Sequence, residues 1–203
     1  MEEQLSPQDS IILIRSMINK TKTNIAENSF YFLFWGWFAF IAILTQFFMK
    51  VVLHSPYNYI VWALTIPAVI FTIGYSYQKR KKRSVHTYIG ENMGSLWTGI
   101  GITFFILCFI ITQSRESWFY AYPYFIMIYG LGTFVSGRII RFKPLVIGGI
   151  LNWILACAST FFIFDYQLLF AAVALLTSYI IPGHLLLRQK GTVRNKSTSA
   201  LNV

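Results

Sequence analysis

The side chains able to do chemistry are few and poorly spaced for it. His54, His86 and His184 do not fall at metal-ligand spacing, and no neighbouring cysteine or carboxylate completes a metal site. His86 and Glu91 could meet as a base and its orienter, but a solvated pair in a basic loop is the simpler reading. Cys108 and Cys157 both sit inside apolar runs, where a thiol behaves as a small apolar side chain and no disulfide framework is expected. The chain has no glycine-rich phosphate loop, no nucleophile elbow and no HExxH pair. The expectation is a protein that is not an enzyme and carries no metal or cofactor.

What polar chemistry remains lies within apolar stretches. Asn152 is its most notable member; it could contact a ligand, or simply hydrogen-bond a neighbouring helix. Thr45, Gln46, Thr103, Thr160 and Ser178 are weaker cases. Pro67, Pro123 and Pro182 could each free a backbone carbonyl for a solute, or merely bend a helix within a bundle. The aromatic side chains, 18% of the chain, could line a pocket for a cation or planar ligand. Lipid-facing rings and interfacial belts explain them more simply.

The elements that must carry these residues follow from charge. Only 12% of the 203 residues are charged, against about 25% in soluble domains. The deficit means that much of the surface does not face water. The net charge of +10 does not point to nucleic acid, because the cations punctuate apolar runs instead of sharing a face with polar and aromatic neighbours. Six runs, Phe30–Met49, Tyr59–Tyr77, Met93–Thr112, Phe119–Ser136, Pro144–Ile163 and Gln167–Leu186, contain no Asp, Glu, Lys or Arg. Each approaches the ~20 residues that a helix needs to cross hydrocarbon. The expected fold is all-α: six transmembrane helices over 30–187, arranged as three tandem hairpins. An amphipathic interfacial helix over 1–29 precedes them, and a polar tail over 188–203 is expected to be disordered.

Orientation follows from Lys and Arg. One side of the membrane receives Arg15, Lys20 and Lys22; Lys79, Arg80, Lys81, Lys82 and Arg83; Arg138, Arg141 and Lys143; and Arg188, Lys190, Arg194 and Lys196. The other side receives only Lys50 and Arg115. The positive side is the cytoplasm, which places both termini there in a bacterial inner membrane. Trp35 and Trp37 mark the inner boundary, and Trp118, Tyr120, Tyr122 and Tyr124 the outer one. Lys20, Lys22, Lys79–Arg83, Arg138, Arg141 and Lys143 are the candidate contacts to anionic headgroups or to a cytoplasmic regulatory protein; a homo-oligomer is the other partner expected.

The glycines suggest an internal repeat. Gly36 and Gly74 are 38 residues apart, as are Gly99 and Gly137, while Gly149 and Gly183 are 34 apart. The first two hairpins open alike, with Ile25-Ala26-Glu27-Asn28 and Ile89-Gly90-Glu91-Asn92. Close approach of helices at their inner ends would explain the glycines. The last two helices are expected to turn around Phe164-Asp165-Tyr166.

Three stretches, Gly137-Arg-Ile-Ile-Arg-Phe-Lys-Pro-Leu-Val-Ile-Gly-Gly-Ile-Leu-Asn-Trp153, Phe30-Tyr-Phe-Leu-Phe-Trp-Gly-Trp37 and Ile180-Ile-Pro-Gly-His-Leu185, resemble a group of uncharacterised membrane proteins of Bacteroidetes-type bacteria. Genes of that group often stand beside a small winged-helix DNA-binding regulator, so the resemblance implies a regulatory or stress-linked setting. It brings no functional residues with it. The leading expectation is a non-enzymatic sensing or regulatory membrane component, and the alternative a small transporter or channel for an uncharged or amphipathic solute.

Overall fold

The structure is a computed structural model that describes residues 30–81, 88–114 and 118–188. The expected interfacial helix over 1–29, with Lys20 and Lys22, lies outside these residues, as do Lys82, Arg83, His86 and the tail beyond Arg188. Lys79, Arg80 and Lys81 are described as backbone alone.

Each apolar run forms a helix, and the described residues contain no strand. We number them α1 (Phe30–Val52), α2 (Asn58–Leu64 as a tight 3-10 coil, then Thr65–Lys81), α3 (Tyr88–Gln113), α4 (Ala121–Ile139), α5 (Lys143–Ser159) and α6 (Phe164–Arg188). Four of them, α1, α2, α3 and α6, are long and apolar enough to cross a membrane. The other two fall short for different reasons. At 17 residues α5 spans about 25 Å. α4 is diluted by tyrosines, glycines, Thr133 and Ser136, but most of these point inward: Tyr122, Gly130, Gly132, Thr133, Ser136 and Gly137 are all buried.

α4, α5 and α6 form the packed centre, whereas α2 and α3 leave most of their surface exposed. Aromatic rings hold α2 on α1, with Phe30 over Tyr75 at 4.7 Å and Phe34 over Phe71 at 5.4 Å between ring centres. Phe104 stacks on Phe125 at 4.4 Å and joins α3 to α4.

Four of the six repeat glycines sit at close approaches, and these run between the expected hairpins. A Cβ at Gly36 would lie 2.8 Å from Cβ of Tyr179 on α6, and one at Gly183 2.9 Å from the Leu33 side chain on α1. A Cβ at Gly137 would lie 2.7 Å from the Val146 backbone on α5, and one at Gly149 2.7 Å from the Phe134 backbone on α4. Gly74 and Gly99 depart from the expectation: a Cβ there would meet nothing within 4 Å. Close approach therefore accounts for four glycines and not for these two.

Short turns set the helix ends. The α4–α5 link places Arg141 in the left-handed region at φ 55°, and the Phe142 amide donates back to the Gly137 carbonyl at 2.8 Å. This is a Schellman closure in which arginine takes the place usually given to glycine. The α5–α6 turn lies earlier than the expected Phe164–Tyr166. α5 ends at Ser159, the chain turns over Thr160–Ile163, and Phe164–Tyr166 open α6. The Ser159 and Thr160 hydroxyls donate to the carbonyls of Ala156 and Cys157 and so stay local. Asp165 falls in the first turn of α6, where the helix dipole favours an anion.

Candidate functional site

The buried polar residues form two layers: an outer one toward the helix ends that carry Lys50 and Asp165, and an inner one farther along the helices, near the middle of α5 and α6. In the outer layer Gln46 of α1, only 4% exposed, is the hub. Its Oε1 accepts from Trp62 Nε1 of α2 at 2.6 Å and from the Tyr122 hydroxyl of α4, and its Nε2 donates to Asn58 Oδ1 at 3.2 Å. One amide thus ties three helices together with both of its ends engaged. Nearby, Lys50 pairs with Asp165 at 3.0 Å and lies 3.9 Å over the Phe164 ring, which joins the outer ends of α1 and α6.

The inner layer is built on an irregularity in α6. Leu176–Ile180 form a π turn, and the Ile181 amide donates to the Leu176 carbonyl five residues back. Pro182 follows it and has no amide to donate. π turns inside α-helices are frequent at functional sites. Gly148 lets α5 touch this turn: a Cβ there would lie 2.8 Å from Cα of Ser178 and 3.0 Å from the Thr177 carbonyl oxygen. One helical turn along α5, Asn152 Nδ2 donates to Ser178 Oγ at 3.1 Å, and Ser178 donates onward to the Ala174 carbonyl at 2.6 Å. Asn152 and Ser178 are wholly buried.

On the adjoining face of the π turn, Tyr179 projects among rings from three other helices. Its ring centre lies 5.6 Å from Phe32 of α1, 6.0 Å from Trp97 of α3 and 5.7 Å from Tyr129 of α4. Gly132 of α4 admits the Trp97 ring, which would stand 3.0 Å from a Cβ at that position. These rings touch one another. Two rings holding a cation between them would stand ~8–12 Å apart, so this cluster is a filled contact and not a cation cage.

The candidate residues read from the sequence are dispersed. Asn152 is brought to Ser178. Pro182 belongs to the same region, buried beside the π turn. Pro67 and Pro123 each occupy the third residue of an α-helical segment that continues directly from a 3-10 turn, and neither joins Asn152. His184 is exposed near the Trp37 ring, and His54 lies in the α1–α2 link with φ 49°. Among the described residues no three His, Cys, Asp or Glu side chains gather at metal-binding distance. Both cysteines are free thiols.

Sequence reasoning missed two roles. The sequence places Tyr122 in the outer aromatic belt, but the residue is 4% exposed and its hydroxyl donates to Gln46. Trp118, Tyr120 and Tyr124 are exposed as a belt would be. Tyr179 carries no polar neighbour in sequence except Thr177 and Ser178; the pairing of Pro182 with the preceding Thr-Ser-Tyr was the available signal.

Arg138, Arg141 and Lys143 are exposed around the α4–α5 turn. Two of the three stand against local preference. Arg141 occupies a left-handed position that costs a non-glycine residue ~1–2 kcal/mol. Lys143 is the first residue of α5, where the helix dipole disfavours a cation. No protein-family model matches the chain, and neither a curated protein nor a solved structure is detectably similar to it.

Proposed function

We propose that the chain crosses the bacterial inner membrane six times with both termini in the cytoplasm, and that it acts as a non-enzymatic sensing or regulatory component through its basic inner face. The observation that carries this reading is the α4–α5 turn. Arg141 and Lys143 are cations retained where the backbone disfavours them. Residues that break a local rule without an internal gain are expected where their partner lies outside the chain. An anionic headgroup or an acidic cytoplasmic protein supplies that partner. The inward-facing polarity of α4 and the apolar face of α5 support six crossings, because both helices turn exposed apolar residues outward, Met127 and Leu131 on one and Ile147, Ile150 and Ile154 on the other.

The alternative is a small transporter for an uncharged or amphipathic solute. The π turn beside Asn152 favours it, and the close ring packing around Tyr179 weighs against it.

The test places single cysteines in a background carrying Cys108→Ala and Cys157→Ala. Ser55→Cys is expected to react with an impermeant reagent added outside intact cells, and Ser84→Cys only after the membrane is opened. Native mass spectrometry then compares anionic lipid retained by wild type and by the Arg138→Gln/Arg141→Gln/Lys143→Gln variant. Outside labelling of Ser84→Cys overturns the orientation. Equal lipid retention, together with unchanged recovery of a cytoplasmic partner by in-cell crosslinking, overturns the role of the basic face.

A further inference from the structure

The two polar layers differ in how well they are satisfied. In the outer layer the Gln46 amide and the Tyr122 hydroxyl are both engaged. In the inner half, Ser136 Oγ, Asn152 Oδ1 and the Tyr179 hydroxyl are buried without a partner. Thr65 Oγ1 and Gln167 Oε1, nearer the outer end, share that state. The inner half adds a backbone acceptor. The Thr177 carbonyl has no helical donor, because the Ile181 amide goes to Leu176 and Pro182 has none. That carbonyl faces Gly148, on the same face of α5 as Asn152. The unmet Asn152 Oδ1 and a carbonyl deprived of its usual helical donors therefore lie along the α5–α6 crossing, and the unmet Tyr179 hydroxyl belongs to the same π turn. Buried polar groups in folded proteins are rarely left this way; where the protein offers no partner, water or a ligand does.

We infer that the inner half of the α4–α5–α6 core binds a small uncharged molecule that both donates and accepts hydrogen bonds, and that water occupies this site in the resting protein. Asn152 Oδ1 and the Thr177 carbonyl are the acceptors, and the Tyr179 hydroxyl is the group that can do either. The ligand is uncharged because the described residues around Asn152, Ser178 and Tyr179 carry no formal charge to balance one, and an unbalanced charge in such surroundings is prohibitively unstable. It is small because the ring contacts of 5.6–6.0 Å and the Gly148–Ser178 approach hold the surrounding helices close together. Two of these three contacts lie on the π turn, so occupancy acts directly on the irregular part of α6. The site does not depend on the basic inner face, and either reading can fail without the other.

X-ray radiolysis of the full chain in detergent, read by mass spectrometry, tests this. Hydroxyl radicals formed from ordered water label the side chains beside it. Tyr122 is the control, being the same residue type, similarly buried and already hydrogen-bonded. Tyr179 is expected to oxidise several-fold faster than Tyr122. Equal rates would overturn the inference. Tyr179→Phe gives an independent sign: if the hydroxyl holds water, its loss lowers the melting temperature, whereas an unmet hydroxyl would make its removal neutral or stabilising. An unchanged or raised melting temperature therefore counts against the site as strongly as equal labelling does.

Discussion

Replacing Arg141 by glycine should raise the stability of the fold and weaken its hold on anionic lipid, two effects of opposite sign from one substitution. At φ 55° the arginine carries the ~1–2 kcal/mol strain of a left-handed L-residue. Glycine removes that strain but returns ~0.4–1 kcal/mol through the greater freedom of its unfolded chain. The net gain centres on ~0.8 kcal/mol, with the Phe142-to-Gly137 closure kept. On the binding side, one cation near an anionic surface contributes ~1 kcal/mol. Its loss is worth about a fivefold reduction in anionic-lipid affinity. Unfolding in nanodiscs of zwitterionic lipid reads the first effect. The extra stability gained when anionic lipid is added reads the second, and that gain should shrink as salt rises. A destabilised Arg141→Gly variant would mean that the side chain supports the turn. An unchanged response to anionic lipid would mean that the cation does not face headgroups. Either result would refute the argument that this residue is retained for an external partner.

The glycine seams make a paired prediction. Gly149→Ala should destabilise by ~1–3 kcal/mol because its Cβ meets the Phe134 backbone, while Gly99→Ala should be neutral or stabilising by up to ~1 kcal/mol; chemical unfolding in detergent distinguishes them. Gln46→Leu should cost ~1–3 kcal/mol, because it leaves Trp62 Nε1 and the Tyr122 hydroxyl unmet at once. The Trp62 emission should shift in the same experiment, and an unaltered spectrum with full stability would refute the hub. Lys50→Met should change stability by no more than ~1 kcal/mol, since both partners of its ion pair are about one-third exposed; a larger loss would show that the outer ends of α1 and α6 are held mainly there.

The helices were legible because the physics that places them is one-dimensional. A run without ionised residues is helical wherever hydrocarbon surrounds it, and each of the six runs forms a helix. Their ends were less legible. The turn after α5 moved because the Ser159 and Thr160 hydroxyls fold back on local carbonyls, a competition that apolar run length does not register. The glycine pattern was visible but its partners were not. A repeat predicts where small residues recur, whereas which helix meets which is decided in three dimensions, so Gly36 faces α6 while Gly74 faces open space. Asn152 drew notice as a buried amide, but Ser178, 26 residues away, could not be paired with it from spacing alone.

The same reasoning explains why the polar layers differ. The hub at Gln46 requires only that long side chains from regular helices reach one amide, and rotamer freedom lets them do so. The inner layer is built on helices brought close together by Gly36, Gly148 and Gly183. Close approach gives dispersion contacts along whole turns, but no protein side chain reaches Asn152 Oδ1 or the Tyr179 hydroxyl. Pro182 deepens the mismatch by withholding the amide that would otherwise close the Thr177 carbonyl. Tight packing and unmet side-chain polarity in the inner layer therefore go together: the glycine seams hold the backbones close at positions where the polar side chains do not reach one another.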